Sequence, residues 1–176
     1  MIFTPTDIDG VVIVDLVPRG DDRGFFARFY CEDEFAAAGL VPPTRQGNVS
    51  YTAEAGTVRG VHWQEGAAAE AKFTRCITGS MLDVAVDVRP DSPTYLQHVS
   101  VELSALNRRA LYIAPGIGRA YQTLEADTEV LYMVSAPYTP EAERGCRPTD
   151  PALGIEWPLP ISSMSDKDAS WELLGS

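Results

Sequence analysis

The residue best suited to proton transfer in this chain is His62, within residues 59–64, which read Arg-Gly-Val-His-Trp-Gln. Imidazole titrates near neutral pH, so a histidine that lines a pocket can remove a proton from a bound molecule. The segment alone fits a buried structural histidine equally well. The second histidine, His98, lies on the polar face of an alternating stretch, and we predict that it is a solvated surface residue.

Two histidines leave few ways to build a metal site. Small metal-binding β-barrels use a His-x-His pair, a carboxylate and a third histidine, and His62 and His98 cannot supply that set. A metal-dependent oxygenase or isomerase is therefore not expected. The three cysteines include no Cys-x-x-Cys pair, which argues against a zinc site and against a disulfide framework. We expect acid–base chemistry without a metal.

The basic residues are unevenly distributed between the two types. All 14 are arginines except Lys72 and Lys167, so a retained lysine indicates either chance or a position that needs a compact ammonium. Arg23, Arg59 and Arg119 each follow or precede a glycine closely, where backbone can approach a ligand. Such guanidinium groups can bind a diphosphate with paired hydrogen bonds, although a solvated turn arginine explains each one equally well.

Tyr132 is the candidate proton donor. It shares one face of a strand-like run with Val130 and Val134, which is typical of a core or cavity-lining tyrosine. If its hydroxyl enters a pocket, the phenol is protonated at neutral pH and can give a proton to a substrate.

Many short strands must position these side chains. Alternating or β-branched runs, separated by glycine and proline, predict strands over residues 11–17, 57–63, 72–78, 81–88, 98–103, 109–114 and 128–135. Within 81–88, Leu82, Val84, Val86 and Val88 share one face, and Asp83, Ala85 and Asp87 share the other. One helix is predicted from Glu32 to Ala38, stopped by Gly39, and a short helical turn near the end. The pattern predicts an all-β sandwich or barrel.

Length and charge limit the classes of function. A chain of 176 residues fits one domain, residues 1–176. Its net charge of −11 opposes binding to nucleic acid or to an anionic membrane surface. The first residues show neither a signal peptide nor a membrane span, and the odd cysteine count fits a reducing compartment, so we expect a cytoplasmic protein.

Taken in order, these segments resemble the dTDP-4-dehydrorhamnose 3,5-epimerase family. The resemblance covers nearly the whole chain and rests on residues 20–26, 46–50, 56–64, 70–72, 83–89, 92–94, 132, 138–140, 150–151, 155–158 and 165–168. It implies a cupin-like double-stranded β-helix, or jelly-roll barrel, with a few short helices. It also implies a nucleotide-linked 4-keto-6-deoxyhexose as substrate, usually carried on dTDP, and no cofactor.

The same resemblance assigns roles to four residues. His62 matches the family's base, and Asp168 matches the aspartate that orients the imidazole. Lys72 matches the lysine that stabilises the enolate oxygen, and Tyr132 matches the proton donor on the opposite face of the sugar. Arg59 and His62 would lie on opposite faces of a regular strand, so a shared pocket requires a bulge, which we predict at Gly60.

Substrate-binding roles follow from the resemblance as well. Arg23 and Arg59 match the diphosphate contacts, Gln46 and Asn48 match a polar pair in the pocket, and Tyr138 matches an aromatic position near the substrate.

Two residues depart from the family pattern. Arg119 stands where the family usually has a second active-site histidine, in a segment that reads Ile-Gly-Arg-Ala-Tyr here instead of Phe-Ala-His-Gly-Phe. Arg28 stands where a glutamate often contacts the nucleoside. Both arginines are still expected to bind the substrate. These changes leave open which carbons are epimerised and which base the nucleotide carries.

The expected activity is therefore epimerisation of dTDP-4-dehydro-6-deoxyglucose at C3 and C5. Epimerisation at one carbon, a different nucleotide sugar and a non-catalytic sugar-nucleotide binder are the alternatives. The resemblance further implies a homodimer, to which residues 11–17 would contribute as an unpaired apolar edge strand.

Overall fold

The computed structural model describes residues 1–174, and most of its regular structure is β-strand. The strands are β1 (Ile2–Pro5), β2 (Val11–Asp15), β3 (Arg19–Asp21), β4 (Gly24–Phe26), β5 (Gln46–Thr52), β6 (Val58–Gln64), β7 (Lys72–Thr78), β8 (Ser80–Asp87), β9 (His98–Ser104), β10 (Ala110–Ile113), β11 (Ile117–Thr123), β12 (Thr128–Val134) and β13 (Glu143–Gly145). The helices are α1 (Glu32–Ala37) and α2 (Asp166–Ser170), with 3₁₀ turns at Gly66–Ala68 and Pro140–Ala142. Within residues 1–174, no helix has the length and apolar character needed to cross a membrane.

Two large antiparallel sheets enclose the core. The six-stranded sheet has the order β1-β2-β10-β7-β12-β5, and the five-stranded sheet has the order β13-β6-β11-β8-β9. Leu111 and Val130 of the first sheet pack against Met81 and Leu103 of the second, and all four side chains are buried. The β3–β4 hairpin forms a separate two-stranded sheet. The predicted all-β class is confirmed.

The outer face of each large sheet is also covered in part. Phe35 of α1 is fully buried against the six-stranded sheet, with its ring centroid 5.0 Å from that of Phe73. Residues after Pro148, including Leu153 and Trp157, pack on the five-stranded sheet. Where both faces of a strand carry buried side chains, hydrophobic alternation along the strand does not reveal which face lines the interior.

Strand β8 illustrates this ambiguity. Its side chains alternate as predicted, but Val84 and Val86 pack under the C-terminal segment, whereas Ala85 belongs to the core between the sheets. Asp83 and Asp87 share the face of Ala85 and are fully buried. The interior of the barrel is therefore polar at these positions.

The prediction that His98 is a solvated surface residue is wrong. His98 is only partly exposed, and its Nδ1 lies 3.0 Å from the carbonyl oxygen of Leu153. The C-terminal segment covers this end of β9, and that long-range contact has no signature in the local alternation of the strand.

The prediction of an unpaired edge strand over residues 11–17 is also wrong. Residues 11–15 form β2, which is hydrogen-bonded to β1 on one side and to β10 on the other. The edges of the six-stranded sheet are instead β1 and β5. The sequence of Ile2–Pro5 has no pattern typical of a strand, so the pairing of β1 with the edge of β2 was not predicted.

The bulge predicted at Gly60 is present between β6 and β11. His62 lies opposite Arg119 and Arg59 lies opposite Tyr121, so two residues of β6 face a single residue of β11. Gly60 has φ +112°, and a Cβ atom there would overlap the Arg119 carbonyl oxygen and lie 2.6 Å from the Cα of Ala120. The bulge thus requires glycine for two reasons, backbone conformation and space.

These two requirements can be separated by comparing Gly60→Ala with Gly24→Ala. Gly24 also has a positive φ, +133°, but nothing lies within 4 Å of the position of its Cβ. We expect Gly24→Ala to lower the free energy of unfolding by about 1–3 kcal/mol through backbone strain alone. Gly60→Ala should lose about 1–3 kcal/mol more because its methyl group collides with β11. Urea unfolding measures both, and equal losses would show that the collision is relieved without cost.

Candidate active site

The four residues expected to act in catalysis line one cavity between the sheets. The cavity has a volume of about 490 Å³, and a hollow of about 210 Å³ adjoins it. His62 on β6, Lys72 on β7 and Tyr132 on β12 line both spaces, and Asp168 on α2 lines the larger one. The histidine belongs to the five-stranded sheet, whereas the lysine and the tyrosine belong to the six-stranded sheet.

His62 and Asp168 form a close pair although 106 positions separate them in the chain. The Nε2 of His62 lies 2.5 Å from Oδ1 of Asp168, and the backbone N–H of Gly60 donates to Oδ2 at 3.2 Å. The side chain of Asp168 is 3% exposed and that of His62 is 29% exposed. Since Nε2 faces the carboxylate, Nδ1 is the nitrogen left to act on a ligand in the cavity.

Asp168 remains ionised at neutral pH. Burial opposes its ionisation, but the hydrogen bond and the charge of His62, together with the N–H of Gly60, outweigh burial and lower its pKa. A carboxylate held in this state fixes the orientation of the imidazole and stabilises its protonated form.

Local backbone contacts bring α2 to β6. Ser163 forms a parallel bridge with Thr57, and its carbonyl oxygen accepts from the N–H of Val58 at 2.9 Å. Ser165 then caps the helix, because its hydroxyl oxygen accepts from the N–H of Asp168 at 3.1 Å. The cap sets where Asp168 leaves the backbone, directly beside the bulge.

Lys72 and Tyr132 supply a cation and a phenol from the other sheet. The Nζ of Lys72 lies 3.0 Å from Oε1 of Glu70, and the lysine side chain is 14% exposed. Burial lowers the pKa of Lys72, and the charge of Glu70 opposes that shift. Burial raises the pKa of Tyr132, so its hydroxyl is protonated at neutral pH.

The structure brings five of the seven predicted binding residues to these two spaces. Arg59 and Arg119 line the larger cavity. Gln46, Asn48 and Tyr138 line the adjoining hollow, where Nε2 of Gln46 donates to Oδ1 of Asn48 at 2.9 Å. Cationic side chains of the larger cavity and polar side chains of the hollow therefore lie in neighbouring spaces.

Arg23 and Arg28 do not reach the cavity of their own chain. Arg23 is at the tip of the β3–β4 hairpin, where its side chain is 90% exposed and forms an ion pair with Asp21. Arg28 forms an ion pair of 2.7 Å with Glu34 of α1. The hairpin is not part of either large sheet, a placement that residue spacing along the chain does not indicate.

Lys167 and Tyr121 line the cavity but were not predicted as site residues. Lys167 lines the cavity, and its Nζ lies 2.5 Å from Oε1 of Glu143, whose Oε2 accepts from the hydroxyl of Tyr138 at 2.8 Å. Tyr121 lines the cavity and shares a hydrogen bond of 3.1 Å with Ser50. The scarcity of lysine was a signal for Lys167, and two-residue alternation from Arg119 was a signal for Tyr121.

Comparison with known proteins gives this geometry a context. The family model described as dTDP-4-dehydrorhamnose 3,5-epimerase matches residues 5–176. The dTDP-4-dehydrorhamnose 3,5-epimerase of Sinorhizobium fredii is 42% identical over 175 residues, which cover 97% of this chain and 88% of that protein. The dTDP-4-dehydrorhamnose 3-epimerase of Streptomyces niveus is 37% identical over 173 residues, 96% of this chain and 83% of that protein.

A solved structure agrees with the sequence relatives. The dTDP-6-deoxy-D-glucose-3,5-epimerase of Legionella pneumophila, in complex with dTDP-4-keto-L-rhamnose, superimposes with a TM-score of 0.90. The two proteins are 33% identical, and the alignment covers 97% of this chain and 91% of that one. The cavity between two antiparallel sheets, the family model and the close relatives agree: the chain is an epimerase with a cupin-like fold and belongs to the dTDP-4-dehydrorhamnose 3,5-epimerase family.

Proposed function

We propose that this protein epimerises a nucleotide-linked 4-keto-6-deoxyhexose, dTDP-4-dehydro-6-deoxyglucose, at C3 and C5 without a cofactor. The observation that carries the proposal is that His62 and Tyr132 line the same cavity from opposite sheets. A base and an acid on opposite sides of a sugar are what inversion of a carbon requires. The activity of the Sinorhizobium fredii relative and the ligand of the Legionella pneumophila structure support the choice of substrate.

The first step is removal of a proton from the carbon next to the C4 ketone. The Nδ1 of His62 takes the proton, the electron pair of the C–H bond forms a C=C bond, and the carbonyl pair moves to the C4 oxygen. Lys72 stabilises the enolate oxygen, and groups of this kind contribute about 10²–10³-fold to the rate. Asp168 stabilises the imidazolium that forms.

The second step returns a proton from the other side. The C=C pair takes the proton of the Tyr132 hydroxyl to form a new C–H bond on the opposite face, and the electron pair on the C4 oxygen re-forms the C=O bond, which inverts the configuration. Exchange with solvent then removes the proton from His62 and restores the proton of Tyr132. Because the returned proton derives from solvent, each inverted carbon gains deuterium in D₂O.

The remaining residues of the two spaces bind the substrate in this proposal. Arg59 binds the diphosphate with its guanidinium group. Gln46 and Asn48 contact polar groups of the ligand, and Tyr138 packs near it. The two large sheets of the described chain enclose these residues together, which favours a single domain.

Arg23 and Arg28 can contact the substrate only in an assembly of two chains. Because neither reaches the cavity of its own chain, a contact with substrate requires the β3–β4 hairpin to enter the cavity of a second copy. A homodimer is also supported by Val49 and Tyr51, which are 63% and 54% exposed on the edge strand β5. The free thiols, of which Cys76 and Cys146 are buried, fit the reducing cytoplasm as the proposed location.

Epimerisation at one carbon is the second candidate. The Streptomyces niveus relative is a 3-epimerase and is only slightly less similar to this chain than the 3,5-epimerase of Sinorhizobium fredii. A non-catalytic binder of sugar nucleotides is disfavoured, because the base, its carboxylate, the cation and the phenol lie together.

The proposed activity predicts deuterium incorporation into dTDP-4-dehydro-6-deoxyglucose in D₂O. We expect exchange at C3 and C5 with the unmodified protein, and a loss of about 10²–10⁴-fold in His62→Ala because its base is gone. NMR spectroscopy of the recovered sugar measures both positions separately. His98→Ala is the matched control and should exchange at the unmodified rate, because His98 is outside the cavity.

Deuterium at C3 alone would identify a single-carbon epimerase. A folded protein that introduces deuterium at neither carbon would show that this sugar nucleotide is not its substrate.

Asp168→Asn tests the pair that orients the base. We expect kcat to fall about 10²–10⁴-fold, because a neutral amide neither holds the imidazole in one tautomer nor stabilises its cation. The pKa of Asp168 is lowered in the folded protein, so its ionisation stabilises the fold above the unfolded pKa of about 4, and that stabilisation is lost as pH falls. The difference in the free energy of unfolding between the two proteins should therefore narrow as the pH falls below about 4, as urea unfolding measures.

Asp166→Asn is the control for this variant. It makes the same change on the same helix, at an exposed position. We expect its kcat to equal that of the unmodified protein, and a comparable loss in both variants would contradict a specific role for Asp168.

A further inference from the structure

Arg119 has an unused hydrogen-bond donor inside the cavity. Its side chain is 10% exposed, its Nε donates to Oδ1 of Asp83 at 2.7 Å, and its Nη2 is buried without a partner in the described part of the chain. The Oδ2 of Asp83 is likewise buried and unpaired there. Buried donors of charged groups are rarely left unsatisfied, so this one indicates a ligand atom or water that completes the site.

The guanidinium group is held in a defined position. Asp83 binds it from β8, and the ring of Tyr121 packs against it with its centroid 4.9 Å from Cζ of Arg119. Arg119 itself is the direct cross-strand neighbour of His62. A cation fixed in this way, beside the proposed base, can donate its free hydrogen bond to a ligand atom at only one place in the cavity.

The charge of Arg119 acts on both groups of the opposite sheet. Burial is the main cause of the lowered pKa of Lys72, and Arg119 lowers it further. Burial also dominates the raised pKa of Tyr132, and Arg119 opposes that shift. Two cations that repel one another in a desolvated space favour an anion between them. In the proposed reaction, negative charge develops on the C4 oxygen of the sugar.

We propose that Arg119 is a second cation for the hexose, whose Nη2 donates a hydrogen bond to the C4 oxygen alongside Lys72, with Asp83 as its positioning residue. The inference rests on the proposed function, because it assigns the C4 ketone as the contact. It makes Arg119 specific for the sugar and not for the nucleotide. Its contact strengthens as the ketone becomes an enolate, so it acts more on kcat than on KM.

The binding test compares two ligands in a background that cannot turn over. In the His62→Ala background, we expect Arg119→Met to weaken the binding of dTDP-4-dehydro-6-deoxyglucose by about 10–100-fold, which is the effect of losing a charged hydrogen bond. The affinity for dTDP, which lacks the hexose, should stay within twofold. Isothermal titration calorimetry measures both dissociation constants.

The kinetic test uses the protein with His62 intact. Arg119→Met should lower kcat for deuterium exchange by about 10²–10³-fold with a smaller change in KM. Arg119→Lys keeps the positive charge and should recover part of that loss. Arg109→Met is the matched control, since Arg109 forms a similar pair with Asp15, at 2.9 Å, outside the cavity and should change neither measurement.

Removal of Arg119 alone leaves Asp83 buried without its partner, which can impair folding. The double variant Arg119→Met/Asp83→Leu removes both charges, and we expect it to fold and to show the same selective loss of hexose affinity. Unchanged affinity for the ketone in these variants would overturn the proposal, as would an equal loss for dTDP. An unmodified protein that exchanges no deuterium would overturn the proposed function alone, because the two affinities still decide whether Arg119 contacts the hexose.

Discussion

The site depends on one partly buried hydrogen bond, between Asp168 and the imidazole of His62. The carboxylate comes from a five-residue helix and the histidine from the middle of a strand, so neither element creates the pair alone. Gly60 links them, because its bulge directs His62 into the cavity and its N–H binds the same carboxylate. The bulge in β6 and the placement of the His62–Asp168 pair therefore depend on the same glycine.

The two large sheets contribute different side chains to the cavity. His62, Arg59 and Arg119 belong to the five-stranded sheet, and Lys72 and Tyr132 belong to the six-stranded sheet. In the proposed mechanism, a ligand between the sheets would meet the base on one side and the acid on the other. Asp83, on the polar face of β8, forms an ion pair of 2.7 Å with Arg119 inside the barrel.

The sequence predicted which residues lie together better than it predicted the contacts around them. His62, Lys72, Tyr132 and Asp168 were found from residue type and family resemblance, and the structure places them together. Strand β5 was missed because its polar residues and glycine give no hydrophobic alternation, and β11 because glycine and arginine interrupt its apolar residues. The burial of His98 and the remote position of Arg23 result from contacts between distant segments, which local patterns do not encode.

The position of α2 in the chain has a consequence for biosynthesis. Every strand of both sheets precedes α2, so all of them leave the ribosome before α2 does. In the proposed mechanism, His62 therefore gains the carboxylate that orients it only after the whole barrel sequence has been made, when the segment from Ser163 to Asp168 docks beside β6. Proteolytic cleavage just before Ser163 would remove Asp168 and leave His62 in the chain.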